Sequence, residues 1–206
     1  MRTLAIECAT EACSVALFDG TRLVDGRFEV LGRGHAERLV PLVAELPDRG
    51  RADRVLVSLG PGSFTGVRIG LAAARALGLA WGAEVLGYPT LELVRARAWQ
   101  PTPRAVTVCM NGGHGEWFVQ NFAAGGGAED EVRSLSPADA AIACRHPVIV
   151  GNRAQELAAL LDNGRLALDL LPDARHAHLL HETRLTRNLA PLYGRGPDAT
   201  LPGAPR

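Results

Sequence analysis

The sequence predicts an α/β fold in which mixed sheets are flanked by helices. Three observations lead there. Three short apolar segments joined by tight turns come first, as antiparallel strands would. Helical and strand patterns then alternate. After the Pro-rich segment Gln100-Pro101-Thr102-Pro103 a second pair of strand patterns begins. The chain is therefore expected to divide into residues 1–99 and a smaller, reduced part, 100–206, whose last residues can pack back on the first part.

The elements follow in order. Thr3 to Glu7 and Ala12 to Phe18 read as strands, and Asp19-Gly20 is a hairpin signal leading to a third strand, Arg22 to Val30. Gly32 and Gly34 break the pattern. His35 to Leu46 has Leu39, Leu42, Val43 and Leu46 at helical spacing. Pro41 lies inside it, so the helix is expected to kink or to start late. Arg54 to Leu59 is a fourth strand, Phe64 to Trp81 a long helix, and Glu84 to Leu86 a short strand. Thr90 to Trp99 is a helix with Thr90 as its N-cap. In the second part, Ala105 to Met110, Glu116 to Phe122 and Pro147 to Val150 read as strands. Pro137 to Cys144, Ala154 to Leu161 and Arg175 to Asn188 read as helices, and the tail from Gly194 as irregular.

Hydrophobic residues make up 47% of the 206 and charged residues 21%, enough apolar matter for a real core. The net charge is zero, which argues against a protein that grips nucleic acid alone through a broad basic field. The 22 basic residues are all arginine, so a Schiff base or a Walker-type lysine is excluded. The cysteines, Cys8, Cys13, Cys109 and Cys144, form no C-x-x-C, and buried thiols in a reducing cytoplasm are expected. The first residues show no signal-peptide pattern. Arg68, Arg75 and Glu84 interrupt the most apolar region, so no membrane span is expected.

The stretch from Gly60 to Gly70, GPGSFTGVRIG, joins a strand pattern to the long helix. It fails as a P-loop, which needs a lysine; as a dinucleotide fingerprint, because Thr65 stands at the third glycine; and as a nucleophile elbow, because Ser63 directly follows Gly62. Ser63 can instead cap the helix. A different regularity is present. Gly62, Gly66, Gly70, Ala74 and Gly78 recur every fourth residue, which on a helix makes one inclined ridge. Glycine inside a helix costs about 1 kcal/mol against alanine, so close packing has to offset it. Periodicity leaves two candidates for that packing, the protein's own sheet and another subunit.

The stretch GPGSFTGVRIG, with His35-Ala36-Glu37-Arg38-Leu39-Val40-Pro41-Leu42 upstream and the opening Leu4-Ala5-Ile6-Glu7-Cys8-Ala9-Thr10, closely resembles the TsaB (YeaZ) family of tRNA threonylcarbamoyladenosine biosynthesis. Gly151-Asn152 and Pro191-Leu192-Tyr193-Gly194-Arg195 extend the resemblance more loosely. The resemblance implies an actin-like, RNase H-like fold of two related lobes. It implies a non-catalytic subunit that pairs with and supports the catalytic subunit TsaD, which modifies the adenosine beside the tRNA anticodon, with the ATPase TsaE as a further partner. It also implies that tRNA is reached through the complex and that the chain has no cofactor of its own, the junction of the assembled complex being the place left open to ATP or ADP. An apolar helix pair should not stay solvated, so a homodimer is expected when the chain is alone, and the thiols and the missing signal pattern lead to the expectation of a cytoplasmic protein. The pairing would use the helices His35–Leu46 and Phe64–Trp81. Leu39, Leu42, Val43, Leu46, Gly62, Gly66, Arg68, Gly70, Ala74 and Gly78 are then the expected contact residues. One departure is Asn111-Gly112-Gly113-His114-Gly115-Glu116, where the family carries Asp-Ala-Arg-x-Gly-Glu.

Actin-like phosphotransferases hold Mg²⁺–nucleotide between their lobes with acidic residues and glycine turns. Glu7 and Thr10 are the weak candidates here, and a solvated strand-end carboxylate is the preferred expectation for Glu7. The catalytic relative binds its metal through H-x-x-x-H; here His35 is followed by Leu39, so His35 is expected as a capping or surface residue and no metal is expected. His176, His178 and His181 are expected on a solvated face. A peptidase is disfavoured, since Ser63 lacks an elbow and no H-E-x-x-H occurs. The rival from another class is an autonomous ATP-dependent small-molecule kinase or ATPase of the same fold.

Overall fold

Strand β1, Arg2–Glu7, is apolar on both faces, and Leu4, Ala5 and Ile6 are fully buried, as a central strand requires. In the computed structural model, which describes residues 1–98, 103–161 and 164–194, β1 is indeed the middle of a five-stranded sheet. It pairs antiparallel with β2, Ala12–Asp19, which pairs with β3, Arg22–Val30. On its other side it runs parallel to β4, Arg54–Ser58, and β4 to β5, Glu84–Tyr88. The order is β3-β2-β1-β4-β5.

The second sheet repeats this plan. β6, Val106–Gly113, is central. It pairs antiparallel with β7, Glu116–Phe122, and β7 with β8, Arg133–Leu135. On the other side β6 runs parallel to β9, Val148–Val150, and β9 to β10, Leu166–Leu168. Read from β8, the order is β8-β7-β6-β9-β10, the topology of the first sheet. The three-residue strands β8 and β10 were outside the sequence expectation, since RSL and LAL lack the β-branched run, VIV, that marked β9.

One face of the first sheet is covered by α1, His35–Ala44, and α2, Phe64–Trp81. Helix α1 runs through Pro41 without a late start and ends at Ala44, short of Leu46. Pro41 donates no bond to Glu37, but only one turn remains beyond it. Helix α2 starts on the Ser63 cap, whose Oγ accepts from Gly66 N at 3.2 Å, and stops at Gly82 in the left-handed region (φ 65°). Helix α3, Thr90–Ala98, packs on the second sheet through Leu91, Val94 and Ala98, against Val106, Val108 and Phe122. Thr90 is not its cap: the hydroxyl lies 2.6 Å from Ser58 Oγ in the core. Of the boundary segment 100–103, residues 100–102 lie outside the described residues, as do Trp99, Arg195 and most of the expected irregular tail. In the second half, α4, Pro137–Ala143, and α5, Ala154–Leu161, occupy the places of α1 and α2.

The expected helix over 175–188 does not form. Its place is taken by short 3₁₀ turns, Ala174–Leu179 and Glu182–Arg184. The buried residues Ala174, Ala177 and Leu180 recur every third position, the period of a 3₁₀ rather than an α-helix. The segment is tied across the first sheet by Ala174 N to Ser14 Oγ (2.9 Å) and by an antiparallel bridge between Thr186 and Gly87. Among the described residues, no helix is long and apolar enough to cross a membrane.

Candidate functional site

Two places attract function: the turn region where the two sheets meet, and the exposed side of the helix pair. The first begins at Glu7. Alternation along β1 sends Leu4, Ile6 and Cys8 toward α1 and α2, and Ala5 and Glu7 to the opposite face, where α3 and residues 174–180 close over them. Glu7 is therefore not the solvated carboxylate expected; it is fully buried. Its Oε1 accepts from Ala9 N (2.7 Å), and Tyr88 donates to Ile6 O (3.0 Å) and Glu7 Oε2 (3.3 Å). Burial outweighs these bonds and pushes the Glu7 pKa up to about 7. Thr10 Oγ1 accepts from Ala12 N, so it shapes its own turn.

The same turn is clasped by the second half. Asn152 donates through Nδ2 to Glu11 Oε1 (2.9 Å), and its Oδ1 accepts from Asn111 N (2.9 Å). Gly151 allows this. Its φ is +123°, and a Cβ there would lie 2.1 Å from Cys109 O. Glu11 and Asn152 were not singled out by sequence reasoning as a pair; only the glycine turn 151–152 was a signal. The altered segment from Asn111 to Glu116 forms the tight β6–β7 hairpin, with Gly113, His114 and Gly115 all at positive φ.

The glycine ridge resolves in favour of the protein's own sheet. A Cβ on Gly62 would lie 2.1 Å from Ala9 O, one on Gly66 2.1 Å from Cys8 O, and one on Gly78 2.3 Å from Val85 Cγ2. A Cβ on Gly70 would meet Cys8, Val57 and Ile6 only at ordinary van der Waals distance, 3.6–3.8 Å, and Ala74 is fully buried. Leu39, Leu42, Val43 and Leu46 are core residues of the same cluster. The expected contact set is thus corrected: these residues are covered by the chain itself, and among that set Arg68 is the one whose side chain is exposed. The outward face of the pair is different. It presents Val40 (59% exposed), Pro41 and Ala44 on α1, and Phe64, Arg68, Ala72, Ala76 and Leu79 (88% exposed) on α2.

His35 is neither cap nor surface. It is buried, and its Nε2 faces the carbonyls of Thr10 (2.9 Å) and Ala12 (3.3 Å). Carbonyls only accept, so Nε2 carries the proton and pins α1 to the β1–β2 turn. Leu39, at the second position of the metal motif, is core. His178 and His181 are exposed, while His176 sits half-buried with Nδ1 3.5 Å from Asp173 Oδ2. Burial and then His176 lower the His178 pKa. His176 and His178 line a recess of about 690 Å³ with Arg97, Leu168 and Leu170. Among the described residues, no group of three or more His, Cys, Asp or Glu is placed to hold a metal.

Comparison with known proteins adds the relationships. The model of the family described as "TsaD: tRNA N6-adenosine threonylcarbamoyltransferase" matches residues 29–139, more than half of the chain. The "tRNA threonylcarbamoyladenosine biosynthesis protein TsaB" of Escherichia coli (strain K12) is 46% identical over 108 residues, covering 48% of this chain and 45% of that protein. The Haemophilus influenzae protein of the same name is 40% identical over 96 residues, covering 44% and 39%. These matches span less than half the length of the curated relatives. Among solved structures, "YeaZ from Pseudomonas aeruginosa" superposes with a TM-score of 0.72 at 28% identity, over 85% of this chain and 87% of that one. The ethanolamine utilization protein EutJ from Carboxydothermus hydrogenoformans shares the fold at a TM-score of 0.51 and 10% identity, over 87% of this chain and 89% of that one.

Proposed function

The chain belongs to the TsaB (YeaZ) family of the actin-like ATPase superfamily, and from that premise we propose that it is a non-catalytic sister subunit in tRNA threonylcarbamoyladenosine formation. It pairs with the catalytic subunit TsaD through the outward faces of α1 and α2 and supports it; TsaE joins the assembly, and tRNA is reached through the complex. The observation that carries this reading is the helix-pair surface. Val40, Pro41, Ala44, Ala72, Ala76 and Leu79 put small and apolar side chains on the solvent side of two helices whose other side is already a full core. Such a face is the kind a partner helix covers. Both helices lie within the residues that match the TsaD family model, so the proposed partner carries a related pair and two like surfaces can meet.

The residues at the catalytic relative's metal positions support the supporting role. His35 is committed to two backbone carbonyls and Leu39 to the core. Glu7, the candidate nucleotide ligand, is enclosed beneath Tyr88. The test is a reconstitution that follows threonylcarbamoyl transfer to tRNA. TsaD with this chain and TsaE forms product, and omitting this chain lowers the yield by orders of magnitude. Product formed by this chain without TsaD, or turnover of Mg–ATP by the isolated chain, overturns the reading and favours an autonomous enzyme.

A further inference from the structure

We propose that Phe64, Arg68 and Tyr193 form a ready-made anchor at one end of the helix-pair surface, which receives an apolar side chain and a carboxylate from the partner; this rests on the partner reading above. The anchor is assembled from two distant segments. Phe64 and Arg68 are successive members of the exposed stripe of α2. Tyr193 comes from residues 186–194, which run beside that helix and bind it through Arg75 Nη2 to Leu189 O (3.0 Å). The two rings stack with centroids 5.8 Å apart and planes at 29°. The Arg68 guanidinium lies 3.5 Å over the Phe64 ring, and its Nη2 donates to Tyr193 Oη at 3.1 Å.

The backbone on both sides of Tyr193 is fixed. Leu192 N donates to Leu59 O at 2.8 Å, and Gly194 fits where a Cβ would lie 2.4 Å from the Phe118 ring and 3.2 Å from Pro61. A clasp that merely held the segment down would bury its rings. Here Phe64 stays 56% and Tyr193 53% exposed, with Leu192 beside them at 39%. The rotamers are therefore already ordered before a partner arrives, which removes part of the entropic penalty of association. Aromatic rings and arginine are also the side chains that dominate binding energy when an interface closes over them.

Charge narrows the occupant. Helix α2 carries Arg68 and Arg75 and no carboxylate along its 18 residues. The bond to Tyr193 uses one of the five guanidinium N–H donors. A carboxylate on the partner, next to the apolar group that covers the rings, satisfies others. The anchor continues into Ala72, Ala76 and Leu79, the surface of a protein contact rather than of an isolated nucleobase platform.

The test titrates the full chain into TsaD by calorimetry. Phe64→Ala and Tyr193→Ala each weaken binding by about 30-fold or more, with unfolding midpoints unchanged. Arg68→Glu weakens it more than Arg68→Ala, and Tyr193→Phe keeps most of the affinity. If wild-type chain fails to bind TsaD, the partner reading itself falls. If wild type binds and the folded Phe64 and Tyr193 variants bind within twofold of it, the anchor is wrong while the partner reading stands. Unchanged TsaD affinity with weakened binding of an anticodon stem-loop RNA also overturns the proposal and assigns the rings to a base.

Discussion

The two halves of the molecule share one topology and differ in what they build on it. Each has a central strand flanked by two antiparallel neighbours on one side and two parallel neighbours on the other. In the first half the covering helices have 10 and 18 residues; in the second they have 7 and 8. At about 1.5 Å per residue, α2 offers about 27 Å of surface and α5 about 12 Å. Strand pairing fixes the shared plan, and helix length decides which half can meet a partner along a whole face. The glycine ridge belongs to that difference. It lets a long helix lie down on the ends of β1 and β5, which frees its opposite side.

The comparison is tested most severely at the turns the halves have in common. Gly66→Ala in the first half places a methyl 2.1 Å from Cys8 O, and Gly151→Ala in the second places one 2.1 Å from Cys109 O. Each is expected to lose about 3 kcal/mol or more, or to prevent folding. Gly125→Ala, with nothing within 4 Å, is the neutral control. Denaturant midpoints decide it; a stable Gly66→Ala chain breaks the account of the ridge.

Next in size is a pH effect centred on Glu7 of the first half. Burial raises the Glu7 pKa from 4.5 to about 7, so the folded state holds a proton that the unfolded chain has already released. Stability from this group is full below about pH 4.5 and is lost as pH rises through about 7, by up to about 3 kcal/mol. Glu7→Gln removes that slope. Parallel pH profiles of the two chains reject the buried-acid assignment.

Smaller still is the clasp between halves. Asn152→Ala removes the bonds to Glu11 and Asn111 and is expected to lower stability by about 1–2 kcal/mol, with faster amide exchange in both turns. The least effect belongs to the surface. Arg38 bridges Glu29 and Glu45 beside α1, and Arg38→Ala should shift the denaturant midpoint only slightly, and less again in high salt, because solvent and ions screen these exposed charges.

Much of the fold was legible because long, strongly patterned segments carry their own period. Phe64–Trp81, Glu116–Phe122 and Ala154–Leu161 fall where the sequence placed them. The segment 175–188 was misread because its apolar spacing of three resembles a helix until tertiary packing shows a 3₁₀ turn. At the site, the sequence found the ridge but not its direction. Every-fourth spacing says that one side of a helix is bare, and only the position of Ala9, Cys8 and Val85 says which neighbour fills it. Glu7 was misplaced for a related reason: the lid over it comes from Tyr88 and residues near 174, far away in sequence. Tyr193 gained its surroundings from the same return of the chain.

The central claim is that the contact surface lies on the helix pair of the first half, with Tyr193 returned to its edge, and not on the helix pair of the second half. Its most direct test is the affinity of TsaD for two variants that place the same charge on the exposed side of corresponding helices, Ala72→Glu on α2 and Ala159→Glu on α5. The account predicts that Ala72→Glu abolishes a complex that Ala159→Glu leaves intact, with both chains folded. Retention of the complex by Ala72→Glu, or its loss in Ala159→Glu, contradicts it.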